Sequence, residues 1–131
     1  MLSGHSEHRP LLTNPEVLEA LAHPVRLDLL TYLMSAGPAT ASTCARAVGD
    51  TPSNCSYHLR TLAGHGLVEP VHSDDRRQRP WRATITGFTI EPNVDPETPQ
   101  GRSNAAVLSA SLALEQGLLR DYLANRDQAS D

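Results

Sequence analysis

The sequence predicts a mostly α-helical domain with one small β-hairpin and a long helix at its C-terminal end. Three observations carry that prediction. Asn, Thr, Pro and Gly cut the first half of the chain into short segments whose apolar residues recur at helical spacing. Two short alternating runs flank a wholly polar stretch from His72 to Pro80, the pattern of a hairpin with a long charged tip. Beyond a segment rich in proline and acid, leucines return at helical spacing as far as Leu123.

The elements follow in order. Residues 1–13 read as a flexible polar tail. Asn14-Pro15 puts a capping side chain before a proline at the first helical position, so Glu16 to Ala22 reads as a short helix. His23-Pro24 repeats the device, and Val25, Leu29, Leu30, Leu33 and Met34 mark a core helix that Ser35-Ala36-Gly37-Pro38 stops. Thr40 caps a third helix with Ala41, Cys44, Ala45 and Val48 inward, ending at Gly49. Thr51-Pro52 starts a fourth, over residues 52–65, with Leu59 and Leu62 inward and Gly64 and Gly66 at its end. Two short helices joined by a tight glycine-containing turn form a helix-turn-helix. Leu67 to Val71 and Trp81 to about Ile85 read as strands, and residues 72–80 between them form a wing. Trp81 is a packing residue of this hairpin. The predicted architecture is thus a winged helix-turn-helix over residues 14–90, a linker over 91–102 that contains three prolines, and a C-terminal helix capped by Ser103 within residues 103–131.

Composition narrows the function. The chain has 131 residues, enough for one domain, and the 39% drawn from the apolar set excludes wholesale disorder. All 11 basic residues are arginine. The net charge of −4 argues at first against a nucleic-acid partner. Its distribution reverses that: residues 1–90 carry eight arginines and eight acids, whereas residues 91–131 carry three and seven. Six of the arginines fall within residues 46–82. Cys44 and Cys55 are too few and too far apart for a zinc site or a disulfide framework and read as small core residues. No apolar run is long enough to span a membrane and Met1 to Pro10 lacks a signal-peptide core, so a reduced cytoplasmic protein is expected.

With Cys55, Leu59 and Leu62 facing inward, the opposite stripe of the fourth helix is Ser53, Ser56, Tyr57 and Arg60, spaced i, i+3, i+4, i+7. Those seven steps cover about 10 Å at 1.5 Å per residue, which suits a major groove about 12 Å wide. Arg60 fits guanine O6 and N7 or a flanking phosphate. Asn54 fits adenine or a phosphate, and Thr51 with the free N–H groups of the first turn fits a phosphate oxygen. Arg76, Arg77 and Arg79 in the wing would reach phosphates or a minor groove.

The run Leu21-Ala22-His23-Pro24-Val25-Arg26-Leu27, then Ser53-Asn54-Cys55-Ser56-Tyr57-His58-Leu59-Arg60-Thr61-Leu62, then Gly66-Leu67-Val68, resembles the ArsR-like family of bacterial winged-helix regulators over roughly residues 15–86. The resemblance implies a dimeric DNA-binding transcription regulator and matches the order of elements throughout. It implies that Arg26 forms a partly buried tie between helices and that His58 makes a structural hydrogen bond. It does not carry metal sensing. The paired thiolates of arsenic-sensing members would fall at Thr40 and Ser42, and the other family metal site finds no histidine between Gln100 and Asp131, so no metal or cofactor is expected. The chain ends soon after its last helix; some relatives carry further helices there, so a short member and a shortened chain are both open.

One recognition helix and one wing offer few phosphate contacts, and a two-fold dimer doubles them. On a helical wheel Val107, Leu108, Leu112, Leu114, Leu118, Leu119, Tyr122 and Leu123 occupy about half the circumference, too wide a face to leave in water. Leu108, Leu112, Leu119, Tyr122 and Leu123 are the candidate dimerisation residues, packing with the Glu16–Ala22 helix of the same or the partner chain. The expected partners are double-stranded DNA, a second copy of the chain and an unidentified small-molecule effector, with no membrane. The expected function is a repressor binding a palindromic operator. The alternative from another class is a winged-helix module that binds protein through its acidic tail. An enzyme is not expected, because no Gly-rich phosphate loop, metal cluster or nucleophile–base spacing stands out.

Overall fold

The computed structural model describes residues 8–72, 74 and 79–129, with side chains followed as far as Gly117. Helix α1 (Pro15–Leu21) starts where Asn14 caps it, its Oδ1 accepting from the Glu16 N–H at 2.9 Å. Helix α2 (Pro24–Ala36) follows after one turn. His23 sits at its N-cap position but makes no side-chain capping bond, contrary to the expected repeat of the Asn14 device. Its ring instead lies 4.7 Å from that of His58. Helix α3 (Ala41–Val48) is capped by Thr40, and Gly49 at φ 74° takes the left-handed conformation that ends it. Helix α4 (Pro52–Gly64) is capped by Thr51, whose hydroxyl accepts from the Asn54 N–H at 3.1 Å.

Strands β2 (Val68–Pro70) and β3 (Trp81–Ala83) pair antiparallel with Glu69 opposite Arg82. Both are shorter than the sequence predicts. Single backbone bonds carry the ladder one residue past each end, from the Thr84 N–H to the Leu67 carbonyl at 3.0 Å and from the Val71 N–H to the Pro80 carbonyl at 2.8 Å, and Ile85 then enters the core. Ala39 bonds Trp81 in both directions at 2.8 and 3.0 Å, which ties the start of the helix-turn-helix to the root of the wing.

Two features depart from the sequence reading. Leu11–Leu12 forms strand β1, parallel to β4 (Thr89–Ile90), and the His8 and Pro10 carbonyls accept from Thr86 and Thr89. The described part of the expected tail is therefore tied to the end of the winged domain; residues 1–7 lie outside the described residues. Helix α5 (Pro99–Ala129) begins four residues before Ser103. Thr98 supplies the start, its hydroxyl accepting from the Gly101 N–H at 3.0 Å and its carbonyl from the Arg102 N–H at 2.9 Å. The remaining linker, residues 91–98, folds back on this helix. Glu91 accepts from Gln100 and Asn104, and a Cβ at Gly101 would collide with the Asp95 carbonyl.

One core joins these parts. Leu18 and Leu21 of α1, Leu27, Leu29, Leu30 and Leu33 of α2, Cys44 of α3, Leu59 and Leu62 of α4, Val68 of β2, Ile85, and Val107 and Ala110 of α5 belong to a single buried cluster. α5 packs on α1 and α2 of its own chain. No helix among the described residues is long and apolar enough to cross a membrane.

Candidate nucleic-acid interface

The turn between α3 and α4 is held by its own polar groups. The Gly49 and Asp50 N–H groups both donate to the Ala45 carbonyl, at 2.9 and 3.1 Å. Asp50 then accepts from the Thr51 N–H at 2.7 Å and from the Asn54 side-chain amide at 3.0 Å. These two bonds, the backbone one first, hold the Asp50 carboxyl below its ordinary range. The result is a fixed angle between the two helices, with the first turn of α4 pointing into solvent.

α4 sorts its residues by face. Cys55, Leu59 and Leu62 are fully buried. Burial pushes the Cys55 thiol up and the Cys44 thiol up to about 11, so both stay protonated and serve as core side chains. Opposite them, Thr51, Ser53, Asn54 and Arg60 are exposed, Tyr57 is 56% exposed, and Ser56 is half-buried. Tyr57 thus presents a planar, hydrogen-bonding side chain to solvent. Arg60 makes no hydrogen bond or ion pair with another described residue. Asn54, by contrast, already uses its amide N–H on Asp50.

The inner edge of α4 is pinned to α2. Arg26 donates from Nε to Nδ1 of His58 at 3.1 Å across 32 residues of sequence, the tie implied by the resemblance. That bond needs an unprotonated Nδ1. Burial first, then the charges of His23 and Arg26, hold the His58 pKa below its ordinary value, while Asp50 works in the other direction. The edge of the His58 ring also meets the Tyr57 ring, 5.4 Å away.

A cleft of about 430 Å³ runs between α4 and the wing. Ser56 and Arg60 line it from α4, Pro70, Arg79 and Trp81 from the hairpin, and Thr40 and Ser42 from the start of α3. Arg79 thus shares the cleft with Ser56 and Arg60 of the outward face of α4, whereas Arg76 and Arg77 lie outside the described residues. Arg82, the other hairpin arginine, is taken up by Glu69 opposite it, with Nε to Oε1 at 2.6 Å. Thr40 and Ser42 were not singled out as contact residues from the sequence. The signal was present, because a capped helix start offers free N–H groups to an anion.

Residues 21–71 match the family of helix-turn-helix domains. The match spans α3 and α4 and reaches into the hairpin at β2. The wing that follows at Trp81–Ala83 and the preceding α1 complete a winged helix-turn-helix around it. Among solved structures, the chain is similar to a homodimeric winged helix-turn-helix DNA-binding domain from Mycobacterium bovis, a possible ArsR-family regulator, with 25% identity over 77% of this chain and 78% of that one and a TM-score of 0.46. It is also similar to a transcriptional regulator homologue from Pyrococcus horikoshii, with 24% identity over 79% and 93% of the two chains and a TM-score of 0.46. A MarR-family regulator from Neisseria meningitidis matches with 20% identity over 81% and 68% and a TM-score of 0.47. No curated protein matches the chain.

On α5 the broad apolar face divides. Val107 and Ala110 are buried in the chain's own core and Leu114 packs against it. Leu108 and Leu112, one turn apart, are each 57% exposed. The side chains of Leu119, Tyr122 and Leu123 lie outside the described residues.

Proposed function

We propose that the protein is a sequence-specific transcriptional regulator of the ArsR-like type, a cytoplasmic homodimer that binds a palindromic operator as a repressor and has no catalytic role. The observation that carries this reading is the outward face of α4. Ser53, Tyr57 and Arg60 project from a helix whose other face is fully buried, and Arg60 shares a cleft with Arg79 of the wing. A helix so presented, flanked by a β-hairpin, is what a major groove accepts.

In this reading Arg60 takes guanine O6 and N7, and Ser53, Ser56 and Tyr57 contact neighbouring base edges and sugars. Thr51, Asn54 and the first-turn N–H groups hold a phosphate, with Asn54 set in place by its bond to Asp50. Arg76, Arg77 and Arg79 follow the backbone or enter the minor groove beside the helix. Leu108 and Leu112, with Leu119, Tyr122 and Leu123 further along α5, pack against their copies across a two-fold axis. That brings two recognition helices about 34 Å apart, one turn of DNA.

Selection of bound duplexes from a random library tests the reading. A palindromic site with half-sites about 10 base pairs apart is expected. Recovery of no preferred sequence would overturn it.

A further inference from the structure

We propose that a cavity between α2, β4 and α5 binds a small apolar cation. The cavity measures about 320 Å³, at the lower end of the range for small-molecule sites. Leu27 of α2, Phe88 and Ile90 beside and within β4, and Leu114 of α5 make most of its wall apolar. Among the described residues two charged side chains line it, Asp28 and Glu115, both of them carboxylates from different helices. Asp28 is half-buried and makes no hydrogen bond or ion pair with another described residue. Burial pushes its carboxyl up, as expected for an acid that has lost water and gained no partner among the described residues.

An unpaired half-buried carboxylate is a cost the fold bears without return unless something supplies a counter-charge. A cation held between Asp28 and Glu115 supplies it, and the two acids repel an anion of the same shape. Phe88, the one phenylalanine of the chain, adds a ring that attracts a cation within about 6 Å of its centroid. The aliphatic wall takes the apolar body. The ligand class is therefore an aryl- or alkylammonium, with neutral analogues weaker and carboxylates weakest.

The cavity also touches Leu108, which belongs to the exposed stripe of α5, and it bridges that helix to α2, the helix on which α4 rests. An occupant would bias how α5 sits against α2. The role as an effector site rests on the regulator reading; the binding itself does not.

The probes are 1-naphthylmethylammonium, 1-naphthalenemethanol and 1-naphthoate, which share one ring system and differ in charge. Calorimetry on the full chain without DNA should show the ammonium binding at least tenfold tighter than the alcohol and the carboxylate weakest. Asp28→Asn should remove most of that preference and leave alcohol binding unchanged, with Glu115→Gln giving a smaller loss. Equal affinity for all three probes, or a preference that survives both substitutions, overturns the proposal. If Asp28→Asn does not fold, the wild-type chain still decides by NMR: the ammonium must shift the Phe88 ring resonances, and shifts confined to other residues count against the cavity. No DNA is present in these measurements, so their failure leaves the regulator reading standing. Conversely, a chain that binds the ammonium but retains no duplex keeps the site and loses the regulator.

Discussion

Helices α4 and α5 lean on the same core yet turn different chemistry outward. Each contributes fully or nearly buried side chains, Cys55, Leu59 and Leu62 from one and Val107 and Ala110 from the other. On its free side α4 carries Ser53, Tyr57 and Arg60, while α5 carries Leu108 and Leu112. Polar, planar and hydrogen-bonding groups suit a surface of base edges and phosphates. Two leucines one turn apart suit another apolar surface and gain nothing from water. On the proposed reading one small core presents two interfaces whose partners differ in kind, and the inner face of each helix says little about which partner its outer face meets.

The largest effect is expected on the inner face of α4. Leu62→Ala, on the buried face of α4, should lower unfolding free energy by about 2–5 kcal/mol in urea titrations, because it opens a cavity in the shared core. A loss within 0.5 kcal/mol would mean that α4 is not anchored as described. On the outer face of α5, Leu108→Glu combined with Leu112→Glu should leave the fold intact and abolish dimerisation. Each leucine buried in a dimer contributes about 1.5–3 kcal/mol, so sedimentation at micromolar concentration should change from dimer to monomer. An unchanged sedimentation profile would detach α5 from the dimer.

The turn between α3 and α4 carries a smaller effect. Thr51→Ala removes the capping hydroxyl from Asn54 N–H and should cost about 1 kcal/mol of stability, measured by thermal unfolding. The smallest effect is the pH dependence of the tie between α2 and α4. The folded pKa of His58 lies below its ordinary value, so the folded chain binds fewer protons there than the unfolded chain. Its contribution is present above about pH 6.5 and is lost as pH falls through the folded value. Melting temperature should therefore drop between about pH 7 and pH 5 more in the wild type than in His58→Gln, which keeps an acceptor for Arg26 but does not titrate. Equal drops would remove His58 from the tie.

Much of this organisation was legible because it is written in local devices. Asn14, Thr40 and Thr51 each cap the helix the sequence predicts, and Gly49 ends α3 where a left-handed residue is needed. The outward stripe of α4 followed from helical periodicity alone. Thr98-Pro99 repeats the pattern of Thr51-Pro52, yet its helix start was masked by the prolines and acids around it, whose composition reads as linker. The β1–β4 pairing was not legible at all. It joins Leu11 to Thr89 through two-residue strands, too short for any periodicity to register and too far apart for any local signal. Nor could periodicity divide the apolar face of α5, because a wheel shows that residues are apolar but not which of two neighbours, the chain's own core or a second copy, each will meet. The sequence reading names Arg79 and leaves out Arg82, and the cross-strand register supplies a physical reason by placing Glu69 opposite Arg82.

If the exposed face of α4 reads DNA, as proposed, Arg60 is the side chain whose loss shows it. A gel shift of Arg60→Ala on the duplex selected by the wild type should show affinity lower by about 1–3 kcal/mol, roughly 5- to 150-fold, and relaxed preference at one base pair of each half-site. Affinity and base preference equal to those of the wild type would contradict the account.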